Sequence, residues 1–227
     1  FVGCSRWLSG RAKKSYLLRG KAVLSIPNPI DTKVYHPMDQ GMARELLGLP
    51  LGKRLLLFGA LNVTDKRKGI DYLIEALRRM EKQDVELVVF GQVKDDIRGL
   101  FPVPIHSMGY LSDESKIVAL YNAVDMFITS SLEENLPNTI MESMACGTPC
   151  VGFEIGGIPE MIDHRVNGYV ANYKDAGDLA NGIQWVLEHE DRLALSDACV
   201  KKVQENYTEE VVAKQYTALY EKLLKGE

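Results

Sequence analysis

Cysteine, histidine and tryptophan are scarce in this chain, at 4, 4 and 2 residues among 227. The cysteines stand at positions 4, 146, 150 and 199. Cys146 and Cys150 are close in sequence, but no further Cys or His nearby completes a zinc set. Reduced, mostly buried thiols are the expectation, and with them a cytoplasmic compartment. Positive charge is not in excess either. A formal net charge of -4 argues against nucleic acid or anionic lipid as a general partner, so any bound phosphate must be held by a local arrangement. No apolar run approaches the roughly 18 residues needed to span a bilayer. Two nucleotide-binding motifs are also missing. Without G-x-x-x-x-G-K-[ST] a P-loop kinase or ATPase is disfavoured, and without G-x-G-x-x-G after the first apolar run so is a dinucleotide oxidoreductase.

What is present is an ordinary globular composition, 46% apolar and 26% charged, on a length that suits one α/β domain with or without a terminal extension. Short apolar runs alternate with amphipathic helical patterns from about residue 54 to 190. Leu55 to Phe58, closed by Gly59, has the unbroken apolar character of a strand buried on both faces. Ile70, Leu73, Ile74 and Leu77 then recur at helical spacing. Further strands are expected at Val85 to Phe90, Ile105 to Tyr110, Met126 to Ile128 and Cys150 to Phe153. Helices are expected from Ser112-Asp113-Glu114 onward, over about Thr139 to Cys146, and after Gly156-Gly157. Asn167-Gly168 reads as a tight turn, and beyond Ala176 only helices follow. The last of them, about Glu209 to Lys225, carries Val212, Tyr216, Leu219, Tyr220, Leu223 and Leu224 on one stripe. Such alternation predicts an α/β fold with a doubly wound, Rossmann-like parallel sheet. Ligands of such sheets sit beyond the carboxyl ends of the strands, which directs attention to loops 59–69, 91–96, 109–113, 130–139 and 154–158.

The first of these loops holds Lys66-Arg67-Lys68-Gly69 directly before a helix. Each cation at a helix N-terminus opposes the helix dipole by about 0.3–1 kcal/mol. The cluster is locally inconsistent unless an anion offsets it, which makes it a candidate phosphate site. In Ser130-Ser131-Leu132-Glu133-Glu134-Asn135-Leu136-Pro137-Asn138-Thr139-Ile140-Met141-Glu142, the residues from Asn135 to Thr139 should present backbone amides at a helix N-terminus. Carboxylates stand on either side, Glu134 before the helix and Glu142 inside it. A carboxylate repels phosphate but accepts both hydrogens of a vicinal diol. Amides for a diphosphate between two hydroxyl acceptors match a molecule with a sugar at each end of a diphosphate, a nucleotide sugar.

The seven residues between Glu134 and Glu142, followed by Met144-Ala145-Cys146-Gly147-Thr148-Pro149, resemble the E-x7-E motif of retaining glycosyltransferases with the two-domain GT-B fold, glycosyl transferases group 1. Four more stretches resemble that family in order: Ile26-Pro27-Asn28-Pro29-Ile30-Asp31, Arg67-Lys68-Gly69, Leu120-Tyr121-Asn122-Ala123-Val124-Asp125, and Gly156-Gly157-Ile158-Pro159-Glu160. The resemblance implies the C-terminal, donor-binding half of a GT-B enzyme that transfers a hexose from a nucleotide-diphospho-sugar to a glycan, lipid or other acceptor. It implies Lys68 and Glu134 as the catalytic pair, with Lys68 on the diphosphate, Arg67 nearby and Glu134 on hydroxyls of the transferred sugar. Glu142 would hold the ribose, the amides of Leu136, Asn138 and Thr139 the phosphate, and Tyr110-Leu111 would flank a uracil or guanine base. Gly59 and Asn135 would complete the donor site. No cofactor and no metal is implied, since Lys68 and the helix amides supply the charge.

Three positions depart from the family pattern. Ala60 stands where many relatives carry a phosphate-binding Arg, with Arg67 the candidate to compensate. Pro137 replaces a glycine and has no N–H to donate, and Pro29 replaces a turn glycine. By the same resemblance, residues 1–25 are expected to be a remnant of a preceding N-terminal domain with its linker. Residues 26–205 would form the nucleotide-sugar domain, and residues 206–227 a helix that crosses back to the preceding domain. That domain would supply the acceptor site, an active-site histidine and any peripheral membrane contact, leaving this chain inactive by itself. The histidines at 36, 106, 164 and 189 match no base position. Two other readings remain open here: a nucleotide-sugar 2-epimerase, and a non-catalytic sugar-nucleotide-binding module.

Overall fold

The computed structural model describes residues 1–62, 65–80, 84–92 and 98–226. The chain opens with β1 (Val2–Gly3), α1 (Arg6–Lys14) and β2 (Leu24–Ser25), the two strands pairing in parallel. After α2 (Gln40–Leu47) come β3 (Arg54–Asn62), a single 3-10 turn (Lys66–Lys68), α3 (Ile70–Arg79) and β4 (Val85–Gln92). Next are β5 (Ile105–Gly109), α4 (Glu114–Ala123), β6 (Met126–Thr129), α5 (Asn138–Ala145) and β7 (Cys150–Phe153). The chain continues through α6 (Ile158–Met161) and β8 (Gly168–Ala171), and ends in α7 (Ala176–Leu187), α8 (Arg192–Asn206) and α9 (Glu209–Leu224).

Six of these strands form one parallel sheet in the order β5-β4-β3-β6-β7-β8. Its two faces can be read from β3 alone. Leu55 and Leu57 belong to a core with Ala43 of α2, Leu120 of α4, Ile140 of α5 and Cys199 of α8. Leu56 and Phe58 point the other way, into a core with Leu73 of α3 and Leu179 of α7. A strand buried on both faces has no polar side to show, which is why its sequence does not alternate. The expected doubly wound α/β fold is what the chain adopts.

The sixth strand, β8, is absent from the sequence reading. Asn167-Gly168 is not a turn apex: the left-handed residue of that turn is Arg165, at φ 60°. Gly168 is the first residue of β8, opposite Cys150, and a Cβ there would collide with the Cys150 carbonyl oxygen. The glycine serves close strand packing rather than chain reversal. Gly59 likewise does not close its strand, because β3 runs on to Asn62. It lies opposite Phe90, whose ring fills the space a side chain would need.

The opposite end of the sheet is tied by a buried charge cluster. Asp125, just before β6, accepts from Arg44 (3.1 Å) and from the Leu55 amide (2.7 Å), and pairs with Arg192 at 2.7 Å. Arg44, equally buried, also donates to the carbonyls of Ala123, Leu51 and Lys53. The Asp of the Leu120–Asp125 motif is therefore a scaffold residue, far along the strands from their carboxyl ends. Among the described residues no helix is long and apolar enough to cross a membrane.

Candidate functional site

Strand order reverses between β3 and β6. From that junction β4 and β5 lead one way and β7 and β8 the other. The loops leaving β3 and β6 therefore diverge, and they open a crevice at the carboxyl end of the sheet, the place where such sheets take ligands. Lys68 lies in the first loop and Glu134 in the second. Residues 63–64 of the first loop, and residues 93–96 of the loop after β4, lie outside the described residues.

Three loops are stitched together at this crevice. Leu132 N–H donates to the Arg67 carbonyl (2.7 Å) and Ser130 Oγ to the Lys68 carbonyl (3.0 Å). Gly69 is left-handed, at φ 63°, and any side chain on it would strike the Ser130 carbonyl oxygen. On the far side the loop after β7 closes in, with the Gly157 amide 2.5 Å from the Asn135 carbonyl. Gly156 and Gly157 sit so close to the backbone of Glu134 and Asn135 that neither tolerates a Cβ. The two glycine motifs seen in sequence are thus close-approach positions that clamp the 130–137 loop. Tyr173 Oη adds a bond to the Leu132 carbonyl at 3.1 Å.

This stitching brings Lys68 Nζ onto Glu134 Oε1 as an ion pair across 66 residues of sequence. Lys68 is thus a half-buried residue of a 3-10 turn rather than part of an exposed loop. Arg67 turns away to form a forked pair with Asp65, with its Nη2 2.7 Å from Oδ2. That pair holds the Asp65 carboxyl below its usual range and pushes the Arg67 guanidinium up. Asp65, which the sequence reading did not single out, caps the 3-10 turn and takes up much of the cluster's charge.

Next to the pair begins α5. Pro137 stands at its N-cap with no side-chain cap, whereas Asp113, Asp175, Asp191 and Thr208 cap α4, α7, α8 and α9. The amides of Leu136, Asn138 and Thr139 receive no acceptor among the described residues, as expected of an uncapped first turn. The side chain of Leu136 is in the core. Asn135 is committed elsewhere, accepting from Ser5 Oγ (2.5 Å) and donating to Cys4 Sγ (2.9 Å). Its side chain fastens residues 1–25 to the site loop rather than facing the crevice.

Glu142, a little over one turn into α5, is not a surface charge. Its Oε2 accepts from the hydroxyl of fully buried Tyr121 at 2.8 Å. Burial raises the Glu142 carboxyl above its usual range, the Tyr121 bond opposes that, and the field of Glu114 adds to it. Glu114 opens α4 just after the 109–113 loop, so that loop and Glu142 share one neighbourhood. Tyr35 shares it too, pushed up to about 12 by burial and by Glu142 and Glu114. Oε1 of Glu142 has no partner among the described residues, which leaves one carboxylate oxygen open. Tyr110 is exposed and Leu111 packs against the core. Tyr35 and Trp7 were missed by sequence reading as site residues, and Tyr121 was noticed only within the Leu120–Asp125 motif. Glu160 was noticed only as part of a motif: it caps the start of α1, accepting from the amides of Arg6 (2.8 Å) and Trp7 (2.7 Å).

Comparison with known proteins bears on the family and the fold. The family described as "Glycosyl transferases group 1" matches residues 52–189. N-acetyl-alpha-D-glucosaminyl L-malate synthase of Bacillus anthracis is 24% identical over 213 residues, covering 91% of this chain and 55% of that protein. The chain thus spans about half the length of that relative. Among solved structures, sucrose-phosphate synthase of Thermosynechococcus elongatus superposes with a TM-score of 0.83 at 23% identity, over all of this chain and 58% of that one. Anabaena HepE, solved in complex with UDP-glucose, gives 0.78 at 19% identity over 97% and 63%. The six-stranded sheet with its flanking helices matches the C-terminal domain of GT-B glycosyltransferases. With over half its length matched, the chain belongs to the group 1 glycosyl transferases.

Proposed function

We propose that this chain binds a nucleotide-diphospho-sugar and forms the donor side of a retaining hexosyltransferase, the acceptor wall coming from a preceding domain. The observation that carries this is the Lys68–Glu134 pair at the sheet's switch point, beside the uncapped start of α5. Diphosphate takes the Lys68 ammonium and the α5 amides; hydroxyls of the transferred sugar take Glu134; ribose hydroxyls take the open oxygen of Glu142. As the sugar departs, charge builds on the leaving diphosphate. Lys68 and the amide dipoles are already in place to stabilise it, so little reorganisation is needed at the moment of reaction. The Tyr110-Leu111 loop flanks the base.

A transferase is favoured over a 2-epimerase because the relative named above is a synthase that matches nearly the whole chain. The test is calorimetry of residues 1–227 with UDP, GDP and their hexose conjugates. Binding in the micromolar to millimolar range, roughly −8 to −4 kcal/mol, together with donor hydrolysis at background, is the expected result. Robust glycosylation of an acceptor by these residues alone would overturn the division of labour. Failure of every nucleotide to bind would overturn the donor site itself.

A further inference from the structure

A second concavity adjoins the site on the Glu133 side of Glu134. It has a volume of about 430 Å³ and is lined by Trp7, Leu132, Glu133, Glu134, Asn135 and Ile155. Lys68, Tyr121 and Glu142 do not line it, so it is separate from the phosphate and ribose contacts. The volume falls within the usual range for a small-molecule site, and the lining is of two kinds. Trp7, Leu132 and Ile155 make an apolar surface. Glu133 and Glu134 contribute carboxylates, and Glu133 is exposed with no hydrogen-bond partner among the described residues.

Trp7 is held rather than loose. Its amide is bonded to Glu160 Oε1, Ser5 at the N-cap of its helix is bonded to Asn135, and the Arg11 guanidinium stands 5.9 Å from its ring centroid. The residue nonetheless remains 40% exposed. The groove thus sets a partly exposed aromatic side chain beside one unpaired carboxylate, Glu133, and one that is paired with Lys68, Glu134. A pyranose ring has matching chemistry: C–H groups on its faces suit an indole, and hydroxyls around its rim suit carboxylate acceptors. A phosphate or an acidic ligand would be repelled by the unpaired Glu133 carboxylate. A purely apolar ligand would leave Glu133 desolvated without a partner.

We infer that this groove binds a pyranose ring, with Trp7 as its platform and Glu133 as a hydroxyl acceptor that sets which sugar fits. The inference rests on the donor-site reading above and adds residues to it. Two sources share this chemistry, the transferred hexose of the donor and a hexose of the acceptor, and the experiment separates them. The chain has one other tryptophan, Trp185, packed against Tyr169 and His189. In a Trp185→Phe variant of residues 1–227, all indole emission comes from Trp7.

This variant is titrated with UDP and GDP, then with UDP-glucose and GDP-mannose, and finally with methyl glucoside or methyl mannoside at saturating nucleotide. An emission change with the conjugate beyond that of the bare nucleotide assigns the groove to the donor's hexose. A change only with the methyl glycoside assigns it to the acceptor. In either case Glu133→Ala should raise the half-saturating sugar concentration threefold or more. Saturation-transfer NMR of the same sugars with the unmodified chain repeats the reading without the Trp185 change. Nucleotide binding by calorimetry with no sugar-dependent change in either measurement would overturn this inference and leave the donor site standing. No binding of any nucleotide or conjugate would overturn both.

Discussion

Replacing Glu142 by Gln is expected to strengthen the fold and weaken the nucleotide at once. In the folded chain Glu142 keeps one oxygen on the Tyr121 hydroxyl at 2.8 Å, and burial raises its carboxyl above the ordinary value of 4.5. A folded-state value above the unfolded one means that the group's contribution to stability is fully present below about pH 4.5 and is lost as pH rises through the folded value. At neutral pH the charged carboxylate is therefore a burden. A Gln oxygen still accepts the Tyr121 hydrogen but carries no charge, so the variant should melt higher than the parent at pH 7. That advantage should shrink as pH falls towards 4.5.

Binding moves the other way. With its oxygen held by Tyr121, the Gln turns an amide NH2 to the ribose where the parent presents a carboxylate oxygen. A charge-assisted bond of about 1.5–3 kcal/mol is exchanged for a neutral one of about 0.5–1.5 kcal/mol. The difference of about 1–1.5 kcal/mol is roughly a 5- to 13-fold rise in Kd for UDP or GDP. Thermal melts at pH 7 and 4.5, paired with calorimetry, read both effects. An unchanged Kd, or a lower melting temperature at pH 7, would refute the placement of Glu142 as a buried ribose acceptor.

Lys68→Met should weaken bare diphosphate and nucleotide sugar alike, by about 1.5–3 kcal/mol each; calorimetry showing unchanged affinity would reduce the basic cluster to a solvated turn. Glu134→Gln should weaken nucleotide sugar yet leave bare diphosphate binding as tight or tighter, because Lys68 is released from its partner; equal losses for both ligands would argue against separate roles. Gly69→Ala forces a left-handed alanine against Ser130, and the backbone strain alone, about 1–2 kcal/mol, should lower the melting point by roughly 2–8 °C in a domain of this size. Asp125→Asn strands the buried Arg44 charge and should destabilise by about 3–5 kcal/mol, while diphosphate affinity of the folded fraction stays the same; a selective loss of affinity would give Asp125 a role at the site after all.

Much of this fold was legible in sequence because each central strand is built on a short apolar run, even where, as in β3, the strand passes through the glycine that follows it, and Asp113 announced its helix. β8 was not legible, because four residues beginning with Gly after Asn167 carry a turn signal that outweighs a short strand. Only the contact with Cys150 explains that glycine. At the site, the spacing of Glu134 and Glu142 and the Arg67-Lys68-Gly69 run were visible as chemistry. Their mutual arrangement was not. Lys68 meets Glu134 through hydrogen bonds between two loops far apart in sequence, and Asp65 draws Arg67 aside through a local fork that reads in sequence as one more loop charge. The burial of Glu142 is set by Tyr121 on another helix, and no periodicity within α5 reveals it.

The ion pair between Lys68 and Glu134 competes with any ligand for both of its members. An inorganic anion that takes Lys68 strips Glu134 of its counter-charge, and a free sugar that takes Glu134 does the same to Lys68. Each half-ligand must therefore break the pair while satisfying only one of its members. A molecule that presents an anion and a hydroxyl rim on one covalent frame satisfies both together, so the site acts as a coincidence gate. On the proposed function the intact donor opens it, whereas phosphate and hexose arriving separately meet a closed pair.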